Sequence, residues 1–333
     1  MRTAIITGIT GQDGAYLSIL LLQKGYKVVG LTRNNHAVNL ERLKLLGIES
    51  QVIIEECDLL DLSSVINLVR KYMPDEIYNL AAQSSVGLSF QQPIGTIHFN
   101  VISVLNLLES IRLVKVKTKF YQASSSEMYG KVDSLPITLN TPMHPLSPYA
   151  ISKASSHWTV VNYRESYGLY ACNGVLFNHE SFLRGPNFFV KKVISECVKN
   201  QNNPDWKLKL GNIDLKRDFG YSPKYVEAMW LMLQQEQARD FIICSGKSIT
   251  LRSIVEYVFK KLDISNDKLY IDSELLRPID IEDIYGDNQD AHRILGWDYN
   301  YSFYDILENL IEEEMNSLVN KSFEVKAMRS LWK

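Results

Sequence analysis

The sequence predicts an α/β protein built on a doubly wound parallel sheet, with a smaller, discontinuous domain toward the C-terminus. Three observations lead there. Short apolar strand-like runs alternate with amphipathic helical stretches, a glycine-rich turn separates the first such run from the first helix, and the alternation weakens after Phe177. Helices on both faces of a parallel sheet account for strand runs that are apolar throughout.

Residues 3–7, 27–31, 52–56, 76–79, 120–123 and 171–176 read as strands, and 15–24, 63–72, 96–112 and 149–167 as helices. From 177 to 217 the chain is mixed polar, aromatic and basic, with turn signals at Gly185-Pro186 and Asn203-Pro204, and is expected to face substrate. A helix over 225–235 and a buried strand over 241–244 bring the chain back to the sheet. The expected division is therefore 1–176 plus 218–246 for dinucleotide binding and 177–217 plus 247–333 for substrate.

With 333 residues, 46% of them hydrophobic, the chain can bury a sizeable core. A net charge of -2 with dispersed charges gives no basic stripe, which argues against nucleic acid. The N-terminal residues run straight into a strand, and no apolar run is expected to reach the roughly 18 residues of a membrane span, so a cytoplasmic protein is expected. Cys57, Cys172, Cys197 and Cys244 lie far apart and read as packed thiols. The histidines show no ligand spacing, His179 beside Glu180 being the only tempting pair, and no metal is assigned.

Gly8, Gly11 and Gly14 in Thr7-Gly8-Ile9-Thr10-Gly11-Gln12-Asp13-Gly14 follow the first strand and open a helix. Glycine permits the tight turn and lets backbone amides approach a pyrophosphate at the helix N-terminus. Such folds place an acidic residue about 20 positions on when they select NAD. Here the position reads Leu31-Thr32-Arg33, so a cation suited to a 2'-phosphate replaces the carboxylate and NADP is expected. Asp58, at the end of the third strand, either reaches the adenine or caps a turn.

Tyr149 and Lys153 stand at i and i+4 where a helix opens, just after a serine-rich strand end, Ser124-Ser125-Ser126-Glu127. An ammonium beside a phenol stabilises the phenolate, and a neighbouring hydroxyl can hold a substrate oxygen. Tyr257 and Lys261 repeat the spacing, but outside the dinucleotide-binding half. Glu127 adds a carboxylate that a simple dehydrogenase does not need and that proton abstraction from carbon does.

Longer stretches of the chain, 5–14, 74–84, 161–168, 176–181 and 230–236, resemble the GDP-mannose 4,6-dehydratases, and the resemblance covers nearly the whole chain. It implies a Rossmann-type extended short-chain dehydrogenase/reductase that converts a GDP-linked mannose or manno-heptose to its 4-keto-6-deoxy form. The steps implied are C4 oxidation, water loss across C5 and C6, and hydride return to C6. The alternative, a nucleotide-sugar 4-reductase or epimerase, would not need Glu127.

Carried over, the resemblance makes Ser125, Glu127, Tyr149 and Lys153 catalytic. It assigns Gly8, Thr10, Gly11, Gln12, Asp13, Gly14, Arg33, Asp58, Leu59, Leu80, Ala81 and Ala82, with Tyr149 and Lys153, to NADP. Ser84, Ser125, Asn178, Lys192, Arg217 and Arg277 are assigned to the substrate, arginine being suited to its phosphates. It also implies a homotetramer or dimer, with residues 33–37 near a neighbouring subunit. The chain departs from the family at Ser125 (usually threonine), Phe182 (proline), Val190 (threonine), Phe219 (tryptophan) and Asp280 (glutamate). These departures cluster in the substrate half and bear on the sugar more than on the reaction.

Overall fold

The computed structural model describes residues 1–33 and 39–319. Its strands are β1 (Thr3–Thr7), β2 (Lys27–Thr32), β3 (Ile53–Glu56), β4 (Glu76–Asn79), β5 (Lys119–Ser125), β6 (Ala171–Leu176), β7 (Asn178–Glu180), β8 (Leu208–Leu210), β9 (Lys216–Tyr221), β10 (Phe241–Ile243), β11 (Ser248–Thr250) and β12 (Leu269–Ile271). Seven of them form one parallel sheet in the order β10-β6-β5-β4-β1-β2-β3. The order reverses between β1 and β4, which opens a crevice at the C-terminal ends of those strands.

The helices between these strands are α1 (Gln12–Gln23), α2 (Glu41–Leu45), α3 (Leu62–Tyr72), α4 (Val86–Gln91), α5 (Pro93–Val114) and α6 (Pro148–Tyr167), with α8 (Ser222–Gln234) leading to β10. Alternate strand residues feed two cores. Ala4, Ile6, Val28, Tyr78 and Tyr121 pack with Leu17, Leu20 and Leu21 of α1 and Met229 and Met232 of α8. Ile5, Val29, Ile77 and Phe120 point the other way, onto Val65 and Leu68 of α3, Leu107 and Leu108 of α5 and Val160 of α6. The period of two divides the residues between layers, and both faces are covered, so every strand residue tends apolar.

The smaller part carries a three-stranded sheet, β11-β9-β7, and a β12-β8 pair. Around them lie α7 (Phe189–Asn200), α9 (Leu251–Lys261) and α11 (Phe303–Val319), while α10 (Gln289–Leu295) packs against β10. Val193, Ile194, Leu208, Ile254, Val258 and Leu307 form its core. The chain leaves the small sheet at Tyr221, where β9 ends, and α8 begins at Ser222.

One expectation is corrected. Helix α5 is long and apolar enough by length and composition to cross a membrane. Asn100, Ser103, Asn106 and Ser110 are nonetheless buried on it, and it packs between α3 and α6. These polar residues interrupt the apolar run along the sequence, while the flanking helices supply the apolar environment that the others need. All four cysteines are buried and unpaired, burial lifting the Cys57 thiol to about 11. Residues 34–37, expected near a neighbouring subunit, lie outside the described residues.

Candidate active site

The glycine turn lies against the strand-order reversal. Gly8 has φ +68°, and a Cβ there would come 2.9 Å from the Ala81 nitrogen. A Cβ on Gly14 would come 2.4 Å from the Gly8 carbonyl oxygen. Helix α1 then starts at Gly11 with no side-chain cap, so its first-turn amides are left for an anion. Helix packing thus leaves no space at Gly14, and the uncapped turn fits the pyrophosphate of a dinucleotide.

Thr7 closes the floor of this crevice. Its hydroxyl donates to Asn79 Oδ1 at 2.6 Å and accepts the Leu80 and Ala81 amides, both at 3.0 Å. The amides of two expected cofactor contacts are therefore already used, leaving the carbonyls and side chains of Leu80, Ala81 and the half-buried Ala82 to face a ligand. Leu59 is buried and its carbonyl accepts from Asn106 at 2.9 Å. Exposed Asp58 caps its own turn through the Leu60 amide at 2.9 Å, with its second oxygen outside that bond. Arg33 is exposed, 6.0 Å from the centre of the Phe99 ring.

Gln12 and Asp13 turn away from the expected ligand and bind the two parts of the chain together. Gln12 donates to the His179 carbonyl at 3.0 Å and accepts from Ser181 at 2.7 Å. Asp13 lies 2.9 Å from His179 Nε2 and accepts from Ser222 at 2.7 Å. Burial would raise the Asp13 pKa, but the His179, Ser222 and Arg184 interactions outweigh it and hold the carboxyl below its ordinary value. His179 therefore serves the seam, and the backbone amides of Gln12 and Asp13 remain open to a cofactor. The Thr10 carbonyl accepts from Arg42 at 2.8 Å.

The catalytic candidates meet above the C-terminal end of β5. Ser147 caps α6 through the Ala150 amide and Pro148 occupies its first turn, which fixes Tyr149 at the helix mouth. One turn on, Lys153 Nζ donates to the Ala123 carbonyl at 2.9 Å and lies 5.8 Å from the centre of the Tyr149 ring. Burial pushes Tyr149 up to about 12, while hydrogen bonding from Ser125 pulls it down and Glu127 adds to the rise. Burial lowers Lys153 to about 8. Ser125 Oγ also accepts the Glu127 amide at 3.3 Å, starting the 3-10 turn Ser126–Met128 that presents half-buried Glu127.

Of the substrate candidates, Arg217 is brought to the catalytic group. It is buried, donates to the Lys216 and Ile281 carbonyls at 2.8 and 2.6 Å, and lies in the field of Glu127, Asp280 and Arg277. Burial lowers its pKa, and the nearby carboxylates oppose that. Arg277 is exposed and pairs with Asp280 at 3.5 Å. Asn178 opens β7 beside Phe219, and Ser84 is exposed beyond β4. Lys192 donates to the Lys209 carbonyl at 3.0 Å.

The sequence reading passed over Arg184. Its charge acts on Tyr149, Asp13 and Glu180, its Nε lies 3.5 Å from Glu180 Oε1, and its guanidinium covers the Phe188 ring at 3.6 Å. The available signal was a lone arginine in Leu183-Arg184-Gly185-Pro186, and only the fold brings its charge within reach of Tyr149.

A dinucleotide crevice, a tyrosine and lysine on one helix face, and a serine at the adjoining strand end define a short-chain dehydrogenase/reductase of the extended type. The glutamate narrows the class further. The family model for GDP-mannose 4,6 dehydratase matches residues 5–310, and the chain belongs to that family.

Similar sequences include GDP-mannose 4,6 dehydratase 1 of Arabidopsis thaliana, 41% identical over 94% of this chain and 90% of the relative. GDP-mannose 4,6-dehydratase of Yersinia enterocolitica is 41% identical over 89% of each chain. Among solved structures, UDP-glucose 4-epimerase of Thermotoga maritima superposes with TM-score 0.85 at 22% identity, covering 96% of this chain and 100% of its own. A dTDP-glucose 4,6-dehydratase of Streptomyces venezuelae with NAD bound gives 0.84 at 22%, covering 93% and 96%. These likenesses support the fold.

Proposed function

We propose that this protein is an NADP-dependent hydro-lyase acting on GDP-mannose or a GDP-manno-heptose, forming the GDP-4-keto-6-deoxy sugar. The observation that carries the reading is Glu127, a carboxylate one short turn from Ser125 whose charge reaches both Tyr149 and Arg217. A reductase or epimerase would need the tyrosine, lysine and serine alone.

Tyr149, its phenolate favoured by Lys153, takes the proton from the sugar 4-hydroxyl, and Ser125 holds the oxygen that becomes the carbonyl. The nicotinamide cofactor, which the glycine turn together with Tyr149 and Lys153 would hold, would supply the acceptor for the C4 hydride and the donor for C6. The 4-keto group acidifies the C5 hydrogen, which Glu127 removes before protonating the departing 6-hydroxyl, and after hydride addition at C6 a proton returns to C5, balancing the one that Tyr149 took from the 4-hydroxyl. Arg217, with Arg277 and Asn178, binds the diphosphate in this reading. Serine in place of the family threonine keeps the hydroxyl, so the proton chemistry survives the change.

Arg33 is the group proposed to select the 2'-phosphate of NADP, and residues 177–217 with 247–333 to hold the nucleotide sugar. Buried free thiols suit the reducing cytoplasm. A homotetramer is proposed, supported by Ile94, Ile97, Ile151 and Trp158, which are exposed on the paired helices α5 and α6. Incubation with GDP-mannose and GDP-manno-heptose, with products read by mass, tests the function. Loss of one water from either supports it, whereas epimerised or reduced sugar with no loss of water overturns it.

A further inference from the structure

Behind the catalytic strand end lies a buried polar chain that the reaction described above does not use. Ser124 is 3% exposed and His157 6%. The Ser124 hydroxyl donates to Met128 Sδ at 3.1 Å and stands 3.4 Å from His157 Nδ1. His157 Nε2 faces Asp240 Oδ2 at 4.0 Å, and Asp240 is in turn fixed by two bonds from Arg164, at 2.7 and 3.0 Å, and by the Asn173 amide at 2.7 Å.

The arrangement spans β5, α6 and the approach to β10. His157 lies one turn beyond Lys153 and two beyond Tyr149, so all three project from the same face of α6. Ser124 immediately precedes Ser125 on β5, and its side chain takes the opposite face. The residue it grips, Met128, closes the turn that carries Glu127.

We infer that Ser124 and His157 are positioning residues that fix the Ser126–Met128 turn, and so the Glu127 carboxylate, relative to Tyr149. The turn has two holds. The Ser125 hydroxyl accepts the Glu127 amide at its start, and Ser124 holds Met128 at its end, braced by His157 against α6. Buried Met128 packs with Val175, Phe177 and Ile242, so the second hold anchors the turn in a core. Asp240 faces His157 from the strand side, Arg164 shares that carboxylate, and burial outweighs Asp240 in lowering the His157 pKa. The Ser124 hydrogen goes to Met128 Sδ, so a neutral ring donating from Nδ1 to the Ser124 oxygen is sufficient for the role.

This inference rests on the proposed role of Glu127, and its test has one arm that needs no substrate. In the NADP-bound protein, hydrogen exchange at the amides of residues 127–130 should speed up about tenfold in Ser124→Ala and His157→Phe. His157→Asn keeps a polar atom near the Nδ1 position and should restore protection. With GDP-mannose, Ser124→Ala should lower kcat by about 10- to 100-fold with KM nearly unchanged, as expected when a catalytic group is displaced by a fraction of an ångström. In a single turnover the same variant should form NADPH at the wild-type rate and consume it slowly. Unchanged exchange in folded Ser124→Ala overturns the inference. So does equal slowing of both halves of the turnover, or failure of His157→Asn to restore protection. If the wild type removes water from neither GDP-mannose nor GDP-manno-heptose, the proposed function falls, while the exchange arm still decides the role of Ser124 and His157.

Discussion

Lys153 Nζ stands 5.8 Å from the centre of the Tyr149 ring while donating to the Ala123 carbonyl at 2.9 Å, so strand β5 holds the ammonium in place beside the phenol. Its burial has a consequence for stability. Lys153 falls from the ordinary 10.5 to about 8, so between those values the unfolded chain binds a proton that the folded chain has released. Stability from this group therefore rises as pH increases from 8 to 10.5, and the cost below pH 8 is on the order of 3 kcal/mol. Thermal melts of ligand-free wild type and Lys153→Met should show the variant favoured at pH 7 and the difference shrinking toward pH 10. The same variant should lose about 10²- to 10⁴-fold in kcat, because Tyr149 loses its stabilising cation. Melting curves with a pH-independent difference would contradict the buried ammonium.

Glu127→Gln should separate the two halves of the reaction. In the proposed mechanism oxidation at C4 needs Tyr149, Lys153 and Ser125, whereas water loss needs a group that exchanges protons with C5 and the 6-hydroxyl. A positioned acid or base contributes about 10²- to 10⁴-fold, so NADPH absorbance should appear on mixing and persist. Deuterium placed at C4 of the substrate should reach C6 of the wild-type product. Dehydration at the wild-type rate in the variant would exclude Glu127 from this role.

Gly14→Ala tests the packing beneath the cofactor turn. Its methyl would meet the Gly8 carbonyl oxygen at 2.4 Å and Ile9 Cα at 2.7 Å, backbone atoms that move only with the turn. The expected cost is about 1–3 kcal/mol by denaturant unfolding, with weaker dinucleotide binding by titration. A variant as stable as wild type would show that the turn is free to shift.

Arg33→Ala should weaken NADP binding about tenfold or more and leave NAD binding nearly unchanged, since a guanidinium adds most where a phosphate oxygen faces it. Calorimetric titration of both cofactors checks this. Equal losses for the two would remove Arg33 from the selectivity.

Trp158→Glu places a charge where an indole stands 59% exposed on α6. If this helix meets a second copy, sedimentation at micromolar concentration should show a smaller species than wild type. An unchanged assembly, or a monomeric wild type, would move the interface elsewhere or abolish it.

The sequence by itself determined the features that depend on neighbours along the chain. The period of apolar residues marked the strands, although helix starts lay one to three residues earlier, at Gln12, Leu62, Pro93 and Pro148, three of them prolines or a polar residue that carry no apolar signal. The spacing of Tyr149 and Lys153 placed them on one face, and Gly8, Gly11 and Gly14 announced a turn that excludes side chains, since helical geometry and backbone sterics are local. Only the tertiary structure decided that Gln12 and Asp13 spend their side chains on His179, Ser181 and Ser222, that Arg217 lies in the field of Glu127, and that Arg184 acts on Tyr149. Those meetings depend on strand order and on where the chain crosses between sheets, and residues far apart in sequence gain their partners through the burial of both cores.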